Sequence, residues 1–128
     1  MRLRFAVPLA SLPLALSLVL NQAAHAQDAT AGKAVFEAKC AVCHSLVPGK
    51  RSVGPSLIGV VGSKAGTHDA NYSYSDEMKN SGKTWDAASL DVFLTNPRTD
   101  IPGIKMLFAG LPDAGDRANL IAFLATLK

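Results

Sequence analysis

The segment CAVCH, residues 40–44, constrains this chain more than any other feature, because it holds both cysteines of the sequence. Two cysteines at this spacing serve three kinds of chemistry in proteins: a redox-active dithiol, part of a zinc site, or covalent attachment of a haem. Each requires a different fold around the pair. The surrounding sequence must therefore show which context the segment has.

Two of the three interpretations lack their usual context. A thioredoxin-like dithiol belongs to a βαβ unit, and no strand-like run of residues precedes Cys40. A structural zinc ion takes four ligands, and after residue 26 the only histidines are His44 and His68. Such a zinc site would have unusual spacing and would lie in a glycine-rich stretch. The residues alone leave both interpretations open.

Covalent haem attachment suits the segment best, because C-x-x-C-H is its signature. Residues three apart lie on one face of a helical turn, so both thiols can bond at one edge of the macrocycle. His44 follows and can place its imidazole on the iron. An open position opposite His44 favours gas binding or peroxide chemistry, and a filled one favours electron transfer. The candidates for that position are His68, Met78 and Met106.

Met106 stands in the segment IPGIKMLFAG, where Pro102 and Gly103 predict an extended loop. A loop of this kind can lay a thioether across a haem face without helical constraint. A methionine in apolar surroundings is usually core filler. That interpretation suits Met78 better than Met106.

The spacing of apolar residues predicts an all-α fold with long loops, because no stretch alternates with period two. The density of glycine and proline between Ser45 and Gly66 predicts loops there. Helices are predicted over residues 28–44, from Ser75 or Asp76, over 84–96 and over 113–127.

The first 26 residues have the pattern of a secretory signal peptide. Arg2 and Arg4 precede an apolar run over residues 5–20, and Ala24-His25-Ala26 offers a cleavage site. The apolar run is shorter than the roughly 20 residues that span a bilayer, although a retained anchor is the alternative. We expect cleavage after Ala26, which leaves residues 27–128 as a single exported, periplasmic domain.

Removal of the signal changes the charge of the chain. Without Arg2 and Arg4, 11 basic residues face 10 acidic ones, and nucleic-acid binding, which needs a basic face, is not predicted. A disulfide between cysteines this close would close too small a loop to stabilise an exported domain much. Another cross-link is expected to hold the domain together.

Further segments carry a resemblance to a known family. Together with CAVCH, the segments GPSLIGVVG, YSYSD, KNSGKTW, NPRTDIPGIKMLFAG and RANLIAFL follow in an order and spacing that resembles the small class I cytochromes c. The resemblance covers nearly all of the chain after the predicted signal, from Gly32 to Leu127. It implies helices and long loops wrapped around one covalently bound haem c.

The resemblance also implies roles for individual residues. Cys40 and Cys43 are implied to form the thioether bonds, and His44 and Met106 to be the axial ligands. Two aromatic residues are implied to donate hydrogen bonds to a haem propionate, and these are Tyr74 and Trp85. The first and last helices are implied to cross at Gly32, Phe36, Leu120 and Phe123.

The chain departs from the family pattern where relatives often carry arginine, asparagine, tyrosine and threonine. The residues found there are Ser63, Met78, Phe93 and Ile104. Each change removes a polar group, so the side of the haem opposite His44 is expected to be drier. Because Ser63 stands where relatives often carry a positively charged arginine, this change is expected to lower the reduction potential relative to those relatives.

The function implied is a diffusible carrier of single electrons between membrane or periplasmic redox proteins, not an enzyme, and we expect a monomer. Lys39, Arg98 and Lys105 are implied to lie near the haem edge, with Asp100 and Asp113 diluting their charge. The alternative is a haem peroxidase or gas sensor with a displaceable sixth ligand. A third class, a small structural metal-binding module, has no haem.

Overall fold

A computed structural model of the protein describes residues 27–50 and 52–128. The predicted signal peptide, residues 1–26, lies outside the described residues. Within them the chain is all-α, as predicted, and the only strand-like pairing is an isolated bridge between Lys64 and Thr84. The helices are α1 (Ala29–Lys39), α2 (Asp76–Asn80), α3 (Ala87–Thr95), α4 (Pro97–Asp100) and α5 (Ala114–Ala125). No helix in the described ranges has the length and apolar character needed to cross a bilayer.

Polar side chains determine where the helices begin. Asp28, Ser75, Asp86 and Asp113 each accept a hydrogen bond from a backbone N–H of the helix that follows, which satisfies donors that lack an intrahelical partner. The sequence predicted caps at Asp28 or Thr30, at Ser75 or Asp76, at Thr84 or Asp86, and at Asp113. The structure has Asp28, Ser75, Asp86 and Asp113 in these roles. The short helix α4 was not predicted, and it begins because Asn96 caps it and Pro97 occupies its first turn.

Helix α1 is shorter than predicted and stops at Lys39. The carbonyl of Phe36 accepts hydrogen bonds from both Cys40 N and Ala41 N, at 2.8 and 2.9 Å. This shared acceptor ends the regular helix. Residues 40–44 then form a separate turn, in which Cys43 N and His44 N both donate to the carbonyl of Cys40.

Helices α1 and α5 cross at very close range. A Cβ atom on Gly32 would lie 1.9 Å from the carbonyl oxygen of Asn119, so only glycine fits at the crossing. The rings of Phe36 and Phe123 pack beside it with centroids 5.7 Å apart, and Leu120 is fully buried. The implied helix crossing is thus present.

Residues 101–111 have no regular structure and connect α4 to the residues just before α5. We call this segment the strap. Its far end is fixed by Leu111, whose N–H donates to the carbonyl of Leu94 in α3. The buried guanidinium of Arg117 in α5 donates to the carbonyls of Leu111 and Pro112 and to a carboxylate oxygen of Asp91. The strap therefore ends against both α3 and α5.

Candidate functional site

One cavity of about 490 Å³ lies between the turn after α1, helix α3 and the strap. Its walls are mostly apolar, and the half-buried Met106 lines the side that the strap forms. All six residues predicted from the sequence to bind a cofactor line this cavity: Cys40, Cys43, His44, Tyr74, Trp85 and Met106. The structure therefore brings together side chains from widely separated parts of the chain.

The two cysteines lie in the turn after α1 and are not joined to each other by a disulfide. Burial, with a smaller contribution from neighbouring Cys43, raises the pKa of the Cys40 thiol to about 11. Redox-active dithiols instead have a thiol with a lowered pKa, because the thiolate is the attacking species. The surroundings of Cys40 thus differ from those of a redox dithiol.

The imidazole of His44 is held in one tautomer. Its Nδ1 lies 2.8 Å from the carbonyl oxygen of Pro55, and a carbonyl can only accept, so Nδ1 carries the proton. Burial lowers the pKa of His44, with the Pro55 hydrogen bond acting in the opposite direction. The neutral ring therefore has an unprotonated Nε2, which is the arrangement of a metal-binding histidine with a backbone partner.

Gly54 is part of this arrangement, although sequence reasoning did not single it out. A Cβ atom there would lie 2.6 Å from Cε1 of the His44 ring, so a side chain at this position would displace the imidazole. The N–H of Gly54 also donates to the carbonyl of Cys43 at 2.8 Å. The Gly-Pro pair was the available signal. It was interpreted as a loop and as part of the segment GPSLIGVVG, and no role was assigned to Gly54 itself.

His68 has both ring nitrogens engaged, which argues against it as a metal ligand. Its Nε2 donates to the carbonyl of Ser56 at 2.7 Å, and its Nδ1 accepts from the hydroxyl of Tyr74 at 3.1 Å. No group of three or more His, Cys, Asp or Glu side chains in the described ranges is placed to hold a metal ion. The zinc interpretation thus finds no site in this part of the chain.

Tyr74 and Trp85 differ in what they can offer a ligand. The Tyr74 hydroxyl donates to His68 and accepts from the N–H of Asp69, and burial raises its pKa to about 12. One hydroxyl proton cannot serve His68 and a cavity ligand at once. The buried Trp85 ring packs on Phe93 with centroids 4.8 Å apart, and within the described residues its indole N–H has no hydrogen-bond partner.

The charged residues expected near the haem edge are only partly there. Lys39 and Lys105 line the cavity, whereas Arg98 does not. The ammonium of Lys105 donates to the carbonyl of Ser73 at 3.0 Å. Asp100 does not dilute surface charge as expected, because its side chain is largely buried and pairs with Lys83.

The residues present fit a large apolar cofactor. Buried core residues form much of its wall: Cys40, Val60, Trp85, Leu90, Phe93, Leu94 and Ile104. Fold and site together define a small all-α protein built around covalently attached haem.

Comparison with known proteins agrees with this class. The family model described as Cytochrome c matches residues 29–128. A cytochrome c2 from Rhodomicrobium vannielii is 50% identical over 112 residues, which are 86% of this chain and 88% of that protein. A cytochrome c2 from Rhodoblastus acidophilus is 49% identical over 104 residues, 80% of this chain and 95% of the relative.

Among solved structures, cytochrome cH from Methylobacterium extorquens matches with a TM-score of 0.73 and 44% identity. The match covers 77% of this chain and 98% of that one. The chain belongs to the cytochrome c family. It is an electron carrier, not an enzyme, and the C-x-x-C-H arrangement implies one covalently bound haem c.

Proposed function

We propose that this chain is an exported, periplasmic electron carrier whose haem c has His44 and Met106 as axial ligands and thioether bonds from Cys40 and Cys43. The observation that carries the proposal is the cavity that Met106 and the two thiols share with His44, whose Nε2 is unprotonated. Its donor and acceptor are membrane or periplasmic redox proteins.

Bound haem c supplies a metal that takes up and releases single electrons. The chain orients the imidazole of His44 through Pro55 and presents Met106 from the strap. With His44 and Met106 both holding the iron, no ligand would have to enter or leave during electron transfer. Apolar walls formed by Phe93 and Ile104 exclude water and favour the less charged, reduced state.

The ligation is tested on the exported protein, purified from a host that attaches haem. We expect the ferric form to show the sulfur-to-iron charge-transfer band that this family displays. Met106→Ala should lose the band. Met78→Leu is the matched control, because Met78 lines the same cavity, and it should keep the band. If Met78→Leu loses the band and Met106→Ala keeps it, the sulfur ligand is Met78 and the proposed ligation is wrong.

The same preparation distinguishes the alternative function. A peroxidase or gas sensor needs a sixth position that is open or readily vacated. Rapid binding of carbon monoxide by the ferrous wild-type protein would favour that alternative and contradict the proposed ligation. Slow binding in wild type, together with fast binding in Met106→Ala, is the expected result.

The partner-docking surface is proposed to surround the mouth of the cavity. Val42 and Leu107 are 78% and 86% exposed there, and Lys39 and Lys105 add positive charge. If charge guides docking, the association rate with a redox partner falls as salt rises. A salt-independent rate would instead assign docking to the two apolar side chains.

Export and cleavage are tested by mass spectrometry of the protein recovered from the periplasm. A mature chain beginning at Gln27 is expected, with the mass of one haem added to that of residues 27–128. A product that retains residues 1–26 and sediments with membranes would instead support a retained anchor.

A further inference from the structure

We propose that Lys83 and Asp100 are positioning residues for Met106. Their ion pair fixes the beginning of the strap and thereby controls how readily Met106 leaves the iron. The inference rests on the proposed function, in which Met106 is an axial ligand. It concerns a pair of side chains that lie outside the cavity wall.

Among the ion pairs of the described residues, this is the one in which both side chains are mostly buried; in the Arg117–Asp91 pair only the arginine is. Lys83 Nζ lies 2.8 Å from Asp100 Oδ1, with the two side chains 25% and 10% exposed. By contrast, Lys33 and Glu37 in α1 are 57% and 58% exposed. Solvent and salt screen a partly buried pair much less than an exposed one. The Lys83–Asp100 attraction can therefore hold two segments together.

Lys83 stands on a fixed part of the backbone. Its carbonyl accepts from Ala65 N at 2.8 Å, and two residues later Trp85 N donates to the carbonyl of Ser63 at 2.9 Å. These bonds flank the bridge formed by Lys64 and Thr84. The ammonium group of Lys83 is thus presented from a framework that also positions Trp85 in the cavity wall.

Asp100 is the last residue of α4 and stands directly before the strap. Ile104 N donates to the carbonyl of Ile101 at 3.4 Å, and the next backbone–backbone hydrogen bond from a strap N–H is that of Leu111. The stretch that contains Met106 has no such bond of its own within the described chain. Its position therefore depends on side-chain contacts, among them the hydrogen bond from Lys105 to the carbonyl of Ser73, and on how its two ends are held.

Within the described residues, Lys83 is the only side chain that pairs with the carboxylate of Asp100. Its Oδ2 is buried and has no hydrogen-bond partner in the part of the chain that the structure describes. Removing Lys83 would leave an uncompensated charge in the interior, which is strongly unfavourable. Asp100 would gain water by moving outward, and the beginning of the strap would move with it.

This reasoning predicts an asymmetry between the two partners. Lys83→Gln leaves the buried carboxylate unpaired, whereas Asp100→Asn leaves an ammonium that is more exposed and can reach water. We measure the rate at which imidazole displaces Met106 in the ferric haem-loaded protein, followed by loss of the sulfur-to-iron band. The rate should rise roughly tenfold or more in Lys83→Gln and less in Asp100→Asn.

Two controls separate positioning from general loss of stability. Lys33→Gln removes an exposed ion pair and should leave the displacement rate unchanged. Gly32→Ala weakens the distant crossing of α1 and α5 and serves as a destabilised control, with unfolding followed by far-UV circular dichroism. If Gly32→Ala accelerates displacement as much as Lys83→Gln at equal loss of stability, the proposal is wrong.

The double substitution Lys83→Asp with Asp100→Lys restores opposite charges and should recover part of the wild-type rate. Failure of the proposed ligation is recognised separately, because the band would then be missing from the wild-type protein. A wild-type protein with the band and a Lys83→Gln variant with an unchanged displacement rate would overturn only the positioning role.

Discussion

Replacing Gly32 by alanine tests the close crossing on which the fold depends. The added Cβ atom would lie 1.9 Å from the carbonyl oxygen and 2.5 Å from the carbonyl carbon of Asn119, and 2.8 Å from Cβ of Phe123. Two of these three atoms are backbone, so no rotamer change removes the clash. Because real Cβ contacts essentially never fall under 3.0 Å, α1 and α5 must separate by about 1 Å.

The cost follows from three terms. Overpacking costs about 1–3 kcal/mol, and a backbone obstacle argues for the upper half of that range. Separating the helices also weakens the contact of Phe36 with Phe123, a kind of pair that contributes about 0.5–1.5 kcal/mol. Alanine is more favourable than glycine in a helix by about 1 kcal/mol, and this gain offsets part of the loss. A net loss of about 2–3 kcal/mol in the free energy of unfolding is expected.

The assay is guanidinium chloride unfolding of the haem-loaded protein. With a slope of about 2–3 kcal/mol per molar, the midpoint should fall by about 1 M. Gly115→Ala in the first turn of α5 is the matched control, because its Cβ would approach only the end of the Asp113 side chain, at 3.1 Å. A Gly32→Ala variant as stable as wild type would refute the reasoning about the crossing.

Four further predictions concern other positions. Arg117→Met should cost about 2–4 kcal/mol in denaturant unfolding, because carbonyls at the end of the strap lose their buried donor. Asp91→Asn should cost less than about 1 kcal/mol, since Asp91 is half exposed. Hydrogen bonds from Ser89 lower the pKa of Asp86. The stability that the ionised Asp86 contributes is therefore complete above about pH 4 and is lost as pH falls through the lower pKa of the folded state. Asp86→Asn should reduce this acid-induced loss of stability in unfolding curves. Ser63→Arg should raise the reduction potential in a redox titration, and a potential that stays constant or falls would contradict this.

Local signals made the helix starts predictable from the sequence. An aspartate or serine before an apolar pattern satisfies backbone donors within three residues, so the helix starts were predictable to within two residues without knowledge of the rest of the fold. Which of two neighbouring candidates caps the helix, such as Thr84 or Asp86, was left open. The end of α1 was not predictable in the same way. The carbonyl of Phe36 accepts two hydrogen bonds, and no residue type in the sequence indicates that the helix ends in this way.

Long-range partners were the part of the site that the sequence did not reveal. The carbonyl that orients His44 belongs to Pro55, and any residue can supply a carbonyl. Lys83 and Asp100 are ordinary charged residues in the sequence, and Asp100 was expected at the surface. Their pairing depends on how α4 packs against the segment before Trp85. Cys40, Cys43 and His44, by contrast, were predictable because the chemistry of C-x-x-C-H is specific. Tyr74 and Trp85 were implied only by the resemblance.

The cavity wall and the core share residues, and this links stability to electron transfer. Val60, Leu90 and Leu94 are buried core residues that also face the cavity, so the apolar residues of this small domain are arranged around an occupant. A covalently bound haem c completes that core and supplies the cross-link that two neighbouring cysteines could not provide as a disulfide. A closely packed interior resists rearrangement. The packing that stabilises the domain therefore also keeps the surroundings of the haem fixed when an electron arrives or leaves.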